Sequence, residues 1–181
     1  MKMILSDLES PLGVMLLATD ERGRVRALEF AERRSRMHRN LREQYGAYEL
    51  IEGPAPTAVA NALQRYFAGA LEALDSIEVA TAGTEQQQTT WAALRRIPAR
   101  QTTSYAALGK SVGINDWRAA KDMGAAVGAN PIAVIVPCHR VLGANGDLKG
   151  YAWGLHRKRW LLQHETSIEA CPATPQTASL F

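Results

Sequence analysis

Cysteine is scarce in this chain: two residues in 181, Cys138 and Cys171. Two thiols are too few for a zinc cluster built on cysteine alone. One closes an apolar run and the other sits in a proline-bearing tail, so a disulfide between them is not expected. Long hydrophobic runs are also missing. No segment approaches the ~18 uninterrupted apolar residues that mark a membrane helix. The opening MKMILSDLESPLG meets acidic side chains within a few positions, unlike a cleaved signal. These absences point to a cytosolic protein with no membrane partner. There is no internal repeat and no low-complexity segment. What is present is a globular composition, 46% hydrophobic and 22% charged. The length suits one ordinary domain or two small ones.

Charge is unevenly placed. Residues 1–80 carry 10 Lys/Arg and 12 Asp/Glu, a net −2. Residues 81–165 carry 11 and 5, a net +6, and residues 166–181 add one acid. A basic second half suits a polyanionic partner, and equally a solvated basic surface.

The periodicities divide the chain in the same way. LGVMLLAT (12–19) and VRALEF (25–30) read as a hairpin turning at Gly23. The charged run 33–46 reads as a helix ending at Gly46, and 57–71 as a helix with Val59, Leu63, Tyr66 and Phe67 on one face. After a brief extended piece at 76–83, Thr84 and Gln87 form a capping-box pair opening a helix. Trp91, Leu94 and Ile97 are its apolar stripe and Pro98 closes it. TSYAALGKSVG (103–113) predicts a second short helix with Leu108 and Val112 inward. INDWRAAKDMGAAVGANP predicts a turn and a third helix, with Ala119, Ala120, Met123 and Val127 inward. Short helix, turn and helix suggest a helix-turn-helix, a pattern that any small helical hairpin shares. Ala119, Ala120, Gly124, Ala125 and Gly128 give the third helix small side chains, beside the basic Arg118 and Lys121. Such a surface fits close approach to a DNA backbone or close packing on another helix.

The fold class that follows is α/β (α+β). A small N-terminal α/β domain covers 1–80, and a mostly helical domain with the helix-turn-helix covers 81–165. A flexible tail covers 166–181, with Cys171 incidental.

IVPCHRVLG (135–143) carries the chemistry. IAVIV (132–136) reads as a buried strand, entered through Asn130-Pro131 and ended by Pro137. Cys138 is thereby displayed at a strand terminus. A thiolate is a good nucleophile and a thiol a poor one. The neighbouring His139 can take the proton, directly or through water, if the chain turns there. A carboxylate such as Glu165 can hold that imidazole in one tautomer. An inert buried cysteine beside a surface histidine satisfies the same spacing.

PCHRV, the NP seven residues before its proline, GYAWG and RKRWLLQHE after it, IP at 97–98 and SY at 104–105 occur in one order. With these motifs the chain from 83 to 165 resembles the O6-alkylguanine-DNA alkyltransferases, the stand-alone Ogt-type proteins and the C-terminal half of bacterial Ada. The first half, with YFAG at 66–69, is similar to their N-terminal domain. The resemblance implies direct-reversal DNA repair: one alkyl group moves irreversibly from O6-alkylguanine to Cys138. O4-alkylthymine is left open as a second substrate. It implies that His139 deprotonates Cys138 through a water, that Glu165 orients His139, and that Asn130 braces the turn. Tyr105 would contact the flipped base. Lys121, Arg118, Ala119, Ala120, Gly124 and Arg140 would face DNA. Val141, Tyr151, Ala152 and Trp153 would form the substrate pocket. The family's gap-filling arginine falls at Lys121, with Arg118 nearly one turn earlier, and the turn GINDW is about two residues longer than usual. Gln86 and Thr90 stand where the family carries Phe and Val, in a core that must then supply polar partners. The implied partner is double-stranded DNA, bound in the minor groove without reading sequence, by a monomer. No metal and no cofactor is implied; His38 is the only histidine before residue 139. A lesion-binding protein with weak or no transfer, and a cysteine hydrolase, remain the alternatives.

Overall fold

The computed structural model describes residues 1–166. The tail reading, with Cys171, lies outside the described residues apart from Thr166. The chain forms two units by its internal contacts. One comprises Met1–Thr84 with Pro131–Ile135; the other comprises Glu85–Asn130 and the chain from Val136 onward. The α+β class expected from the periodicities is what the structure contains.

The first unit is a four-stranded sheet of order β3-β2-β1-β4. Its strands are β1 (Lys2–Leu8), β2 (Met15–Thr19), β3 (Val25–Phe30) and β4 (Glu49–Glu52). The predicted hairpin is present as antiparallel β2 and β3. Its turn is held by Asp20, whose Oδ1 accepts from the backbone N–H of Arg22 and Arg24 at 3.0 Å each. Gly23 takes φ 77°, the left-handed region that a tight turn requires. β1 pairs antiparallel with β2 and parallel with β4, two strands the periodicity did not reveal. Every residue of β2 and β3 is buried, so neither strand alternates. Helix α1 (Arg34–Tyr45) covers one face. Its Met37 and Leu41 pack with Met3, Leu5, Leu16, Ala18 and Ala27. Helix α2 (Thr57–Phe67) buries Val59, Ala62, Leu63 and Tyr66.

The second unit holds α3 (Glu85–Arg95), α4 (Tyr105–Ser111), α5 (Ala119–Gly128) and α6 (Leu155–His164). A two-residue parallel pair joins β5 (Thr103–Ser104) to β6 (Val141–Leu142). Ser104 caps α4, its Oγ accepting from Ala107 N at 3.0 Å. Gly113 at φ 87° ends the turn after α4. The close approach of α4 and α5 depends on Gly109: a Cβ there would lie 3.1 Å from Ala119 Cβ and 3.3 Å from Met123 Cγ.

Three expectations are corrected. IAVIV is not a strand. Only Ile132 bridges Leu28; the segment then turns, with Val134 at φ 65°. Pro131 and Pro137 bound the segment, and its β-branched side chains are buried within a turn rather than a sheet. Gln86 is exposed and is not a core residue. Thr90 is buried, and its hydroxyl donates to the Gln86 carbonyl one helical turn back at 2.8 Å, so the helix itself satisfies it. Ala120, expected inward, is exposed; Ala126 takes the buried place instead.

Candidate active site

The turn after Pro137 delivers the nucleophile. Cys138–Arg140 form a single 3-10 turn rather than a strand end. Asn130, fully buried, donates from Nδ2 to the Val136 carbonyl at 2.9 Å and closes the loop from 130 to 136. Cys138 N–H donates to the same carbonyl at 2.8 Å. Cys138 is 4% exposed and that small surface lines a cavity of about 630 Å³. Around it stand Tyr105 from the start of α4, Ala120, Gly124 and Gly128 from α5, and Tyr151 and Ala152 from the loop before α6. The small residues of α5 therefore divide: Ala119 packs on Gly109, while Ala120, Gly124 and Gly128 open the cavity wall.

His139 and Arg140, the next two residues of the 3-10 turn, are buried in the protein. His139 Nε2 lies 2.8 Å from Glu165 Oε2, and both side chains are fully buried. Arg140 donates from Nε to Oε1 at 2.8 Å, from Nη2 to Oε2 at 3.0 Å, and from Nη1 to the Ile97 carbonyl at 2.6 Å. Burial alone would raise the Glu165 carboxyl, but the His139 hydrogen bond and Arg140 hold it well below the usual carboxylate range. Burial drives His139 below its ordinary value, against the pull of Glu165. A neutral imidazole facing an anion places its proton on Nε2. Nδ1 then carries a lone pair, and it has no hydrogen-bond partner among the described residues. This is the arrangement of an oriented base beside a thiol.

Lys158 was not foreseen. Flanked by Arg157 and Arg159, it resembles solvated charge, yet it is fully buried. Helical spacing held the signal: Lys158, Leu161 and Leu162 share one face of α6, and Glu165 follows directly after its end. Its ammonium donates to the carbonyls of Val141, Leu148 and Gly150 at 2.7, 2.6 and 3.2 Å, tying the loop before α6 to β6. It lies 6.0 Å from the centre of the Tyr105 ring. Burial pushes Lys158 down to about 8, opposed by the charge of Cys138. Burial and the same charge raise Tyr105.

The other expected residues fall on both sides of the boundary. Lys121 and Arg118 are exposed. Arg140, expected to face DNA, is buried instead and paired with Glu165. Ala119 is buried by α4 and offers no contact surface outward. Val141 and Trp153 are buried rather than lining the cavity; the Val141 carbonyl meets Lys158, and the Trp153 ring packs edge-on against Tyr151 at 5.1 Å.

Residues 3–81 match the family described as 6-O-methylguanine DNA methyltransferase, ribonuclease-like domain, and residues 85–167 match its DNA binding domain. A methylated-DNA–protein-cysteine methyltransferase of Salmonella typhimurium is 42% identical over 167 residues, covering 91% of this chain and 96% of that protein. One from Methanosarcina acetivorans is 40% identical over 159 residues, with 88% and 96% covered. Among solved structures, Mycobacterium tuberculosis OGT in complex with DNA superimposes with a TM-score of 0.75 at 34% identity, covering 97% of this chain and 99% of that one. Cys138, the buried His139–Glu165 pair and the α4–α5 wall thus lie in a chain that belongs to the 6-O-methylguanine DNA methyltransferase family.

Proposed function

We propose that this chain repairs DNA by direct reversal, moving the alkyl group of O6-alkylguanine onto Cys138 once and irreversibly. The observation that carries the reading is Cys138 in the cavity wall with His139 next to it, oriented by Glu165 and keeping Nδ1 available. His139 takes the thiol proton through a water, and Glu165 and Arg140 keep the imidazole in the tautomer that can accept it. Sulfur attacks the alkyl carbon. The S–C bond forms as the C–O6 bond breaks, and the electron pair stays on the purine. The purine regains a proton and leaves as guanine, so atoms and charge balance. The thioether formed is stable to water, and one chain acts once.

A guanine O6 within a duplex is stacked out of reach of this cavity, so the base must be turned out. Tyr105 and the Tyr151–Ala152 loop receive it. The Cys138 carbonyl accepts from its amino group, and the Ala152 N–H faces O6. Asn130 holds the turn. Ala120 and Gly124 let α5 approach the backbone closely, and Arg118 and Lys121 supply positive charge. Contact through the minor groove, without sequence readout, by a cytoplasmic monomer with residues 81–165 as the catalytic domain, completes the proposal. O4-alkylthymine is a smaller pyrimidine that the same cavity could admit.

Intact-protein mass spectrometry after incubation with duplex bearing O6-methylguanine tests it. One added methyl per chain at Cys138, absent in Cys138→Ser, is expected. Turnover without an adduct means hydrolysis, and binding without mass change means a lesion sensor.

A further inference from the structure

Trp117 is the most exposed large apolar side chain in the described chain, at 83%. It stands at the leading end of α5. Asp116 Oδ1 accepts from Arg118 N at 2.9 Å, the Asp116 carbonyl accepts from Ala119 N at 3.1 Å, and the Arg118 carbonyl accepts from Asp122 N at 2.9 Å. Residues 116–118 thus wind into α5 in the helical sense. Helical spacing puts Trp117 on one row with Ala120, Lys121, Gly124 and Gly128. Three of these, Ala120, Gly124 and Gly128, line the cavity that contains Cys138. The row therefore runs from the cavity wall, past Lys121, to an indole in open solvent. The Arg118 guanidinium sits 5.3 Å from the indole centre, adding positive charge to the aromatic face.

Flat aromatic surface beside two cations is chemistry suited to nucleic acid. Bases stack on an indole whatever their identity, and cations hold the phosphates alongside. A lysine has no flat face to put in place of a base that has been turned out. We propose that Trp117, backed by Arg118, packs on the base stack of duplex DNA at the step opened by extrusion, filling space that Lys121 cannot. Small side chains along the rest of the row let the helix come close enough for the indole to reach. The inference rests on the DNA-repair reading above and adds to it a positioning residue that the motifs did not single out.

The test compares single-turnover methyl transfer from O6-methylguanine in duplex and in single-stranded oligonucleotide. Only the duplex has a gap to fill. Trp117→Ala should slow the duplex reaction roughly 5- to 100-fold, with a clearly smaller loss on the single strand. Trp117→Phe, which keeps a stacking face, should recover most of the duplex rate. Duplex DNA should also shield wild-type tryptophan fluorescence from acrylamide, and this shielding should vanish in Trp117→Phe. Equal losses on both substrates, or an unchanged duplex rate in Trp117→Ala, would overturn the proposal while leaving the repair reading intact. A concentration-dependent dimer that Trp117→Ala abolishes would reassign the indole to self-association. Failure of the wild type on both substrates would sink the repair reading itself.

Discussion

At the scale of single residues, the site is governed by where charge is buried. Glu165 is an anion buried from solvent, and His139 and Arg140 stabilise it. Removing one partner from a buried pair leaves the other uncompensated. Glu165→Gln should therefore lower stability by about 3–5 kcal/mol, measured by urea unfolding at pH 7. The pH dependence follows from the same groups. Glu165 titrates lower in the folded chain than in the unfolded one, so its contribution is complete above about 4.5 and is lost as the pH falls below that. His139 is also depressed on folding, so the unfolded chain takes up its proton first and stability begins to fall below about 6.5. Unfolding free energy should hold level near neutrality and decline in two stages on acidification. In Glu165→Gln the lower stage should flatten. A single decline confined below pH 4 would contradict this account.

At the scale of elements, the α4–α5 pair and the turn 130–138 do different work. The helices meet because Gly109 has no side chain, with Ala119 and Met123 filling the space above it. Gly109→Val forces them apart and should cost about 1–3 kcal/mol. Because α5 forms the cavity wall, the transfer rate should fall with it. Thermal unfolding and a single-turnover assay on the same sample check both effects. The turn, by contrast, is held by directional bonds: the Asn130 amide and Cys138 N–H share one carbonyl. A rigid turn fixes the sulfur in the cavity wall and sends the next side chain into the core. Strand geometry would also separate neighbouring side chains, but it would not bring the Asn130 amide to the Val136 carbonyl.

At the scale of the whole molecule, the basic excess of residues 81–165 sets how the chain meets a polyanion. On the proposed reading, affinity for duplex should fall linearly in log–log terms as salt rises. Lys121→Ala should reduce the slope by about 1. The loss should be the same for oligonucleotides of unrelated sequence, because phosphate contacts carry no base information. A slope that changes with sequence would argue for base readout instead. Binding titrations between 50 and 200 mM salt, with two unrelated duplexes, distinguish the outcomes.

Much of this could be read directly along the chain. The hairpin turning at Gly23, helices ending at Gly46 and Pro98, and the Cys138–His139–Glu165 constellation rest on local signals: turn residues, period, and motif order. β1 and β4 escaped because one is short of clear alternation and the other is a mostly exposed edge. The IAVIV segment misled because an apolar β-branched run looks the same in a strand and in a buried turn. Only long-range hydrogen bonds and neighbouring prolines separate the two. Arg140 and Lys158 were legible as charges but not as interior ones. Whether a cation is solvated depends on partners 25 residues away at Glu165 for Arg140, and 17 and 8 away at Val141 and Gly150 for Lys158. The order of residues determined the proposed reacting groups and most helices. Tertiary packing alone decided which charges lie inside, because the cost of burying a charge is offset by groups that the linear chain keeps apart.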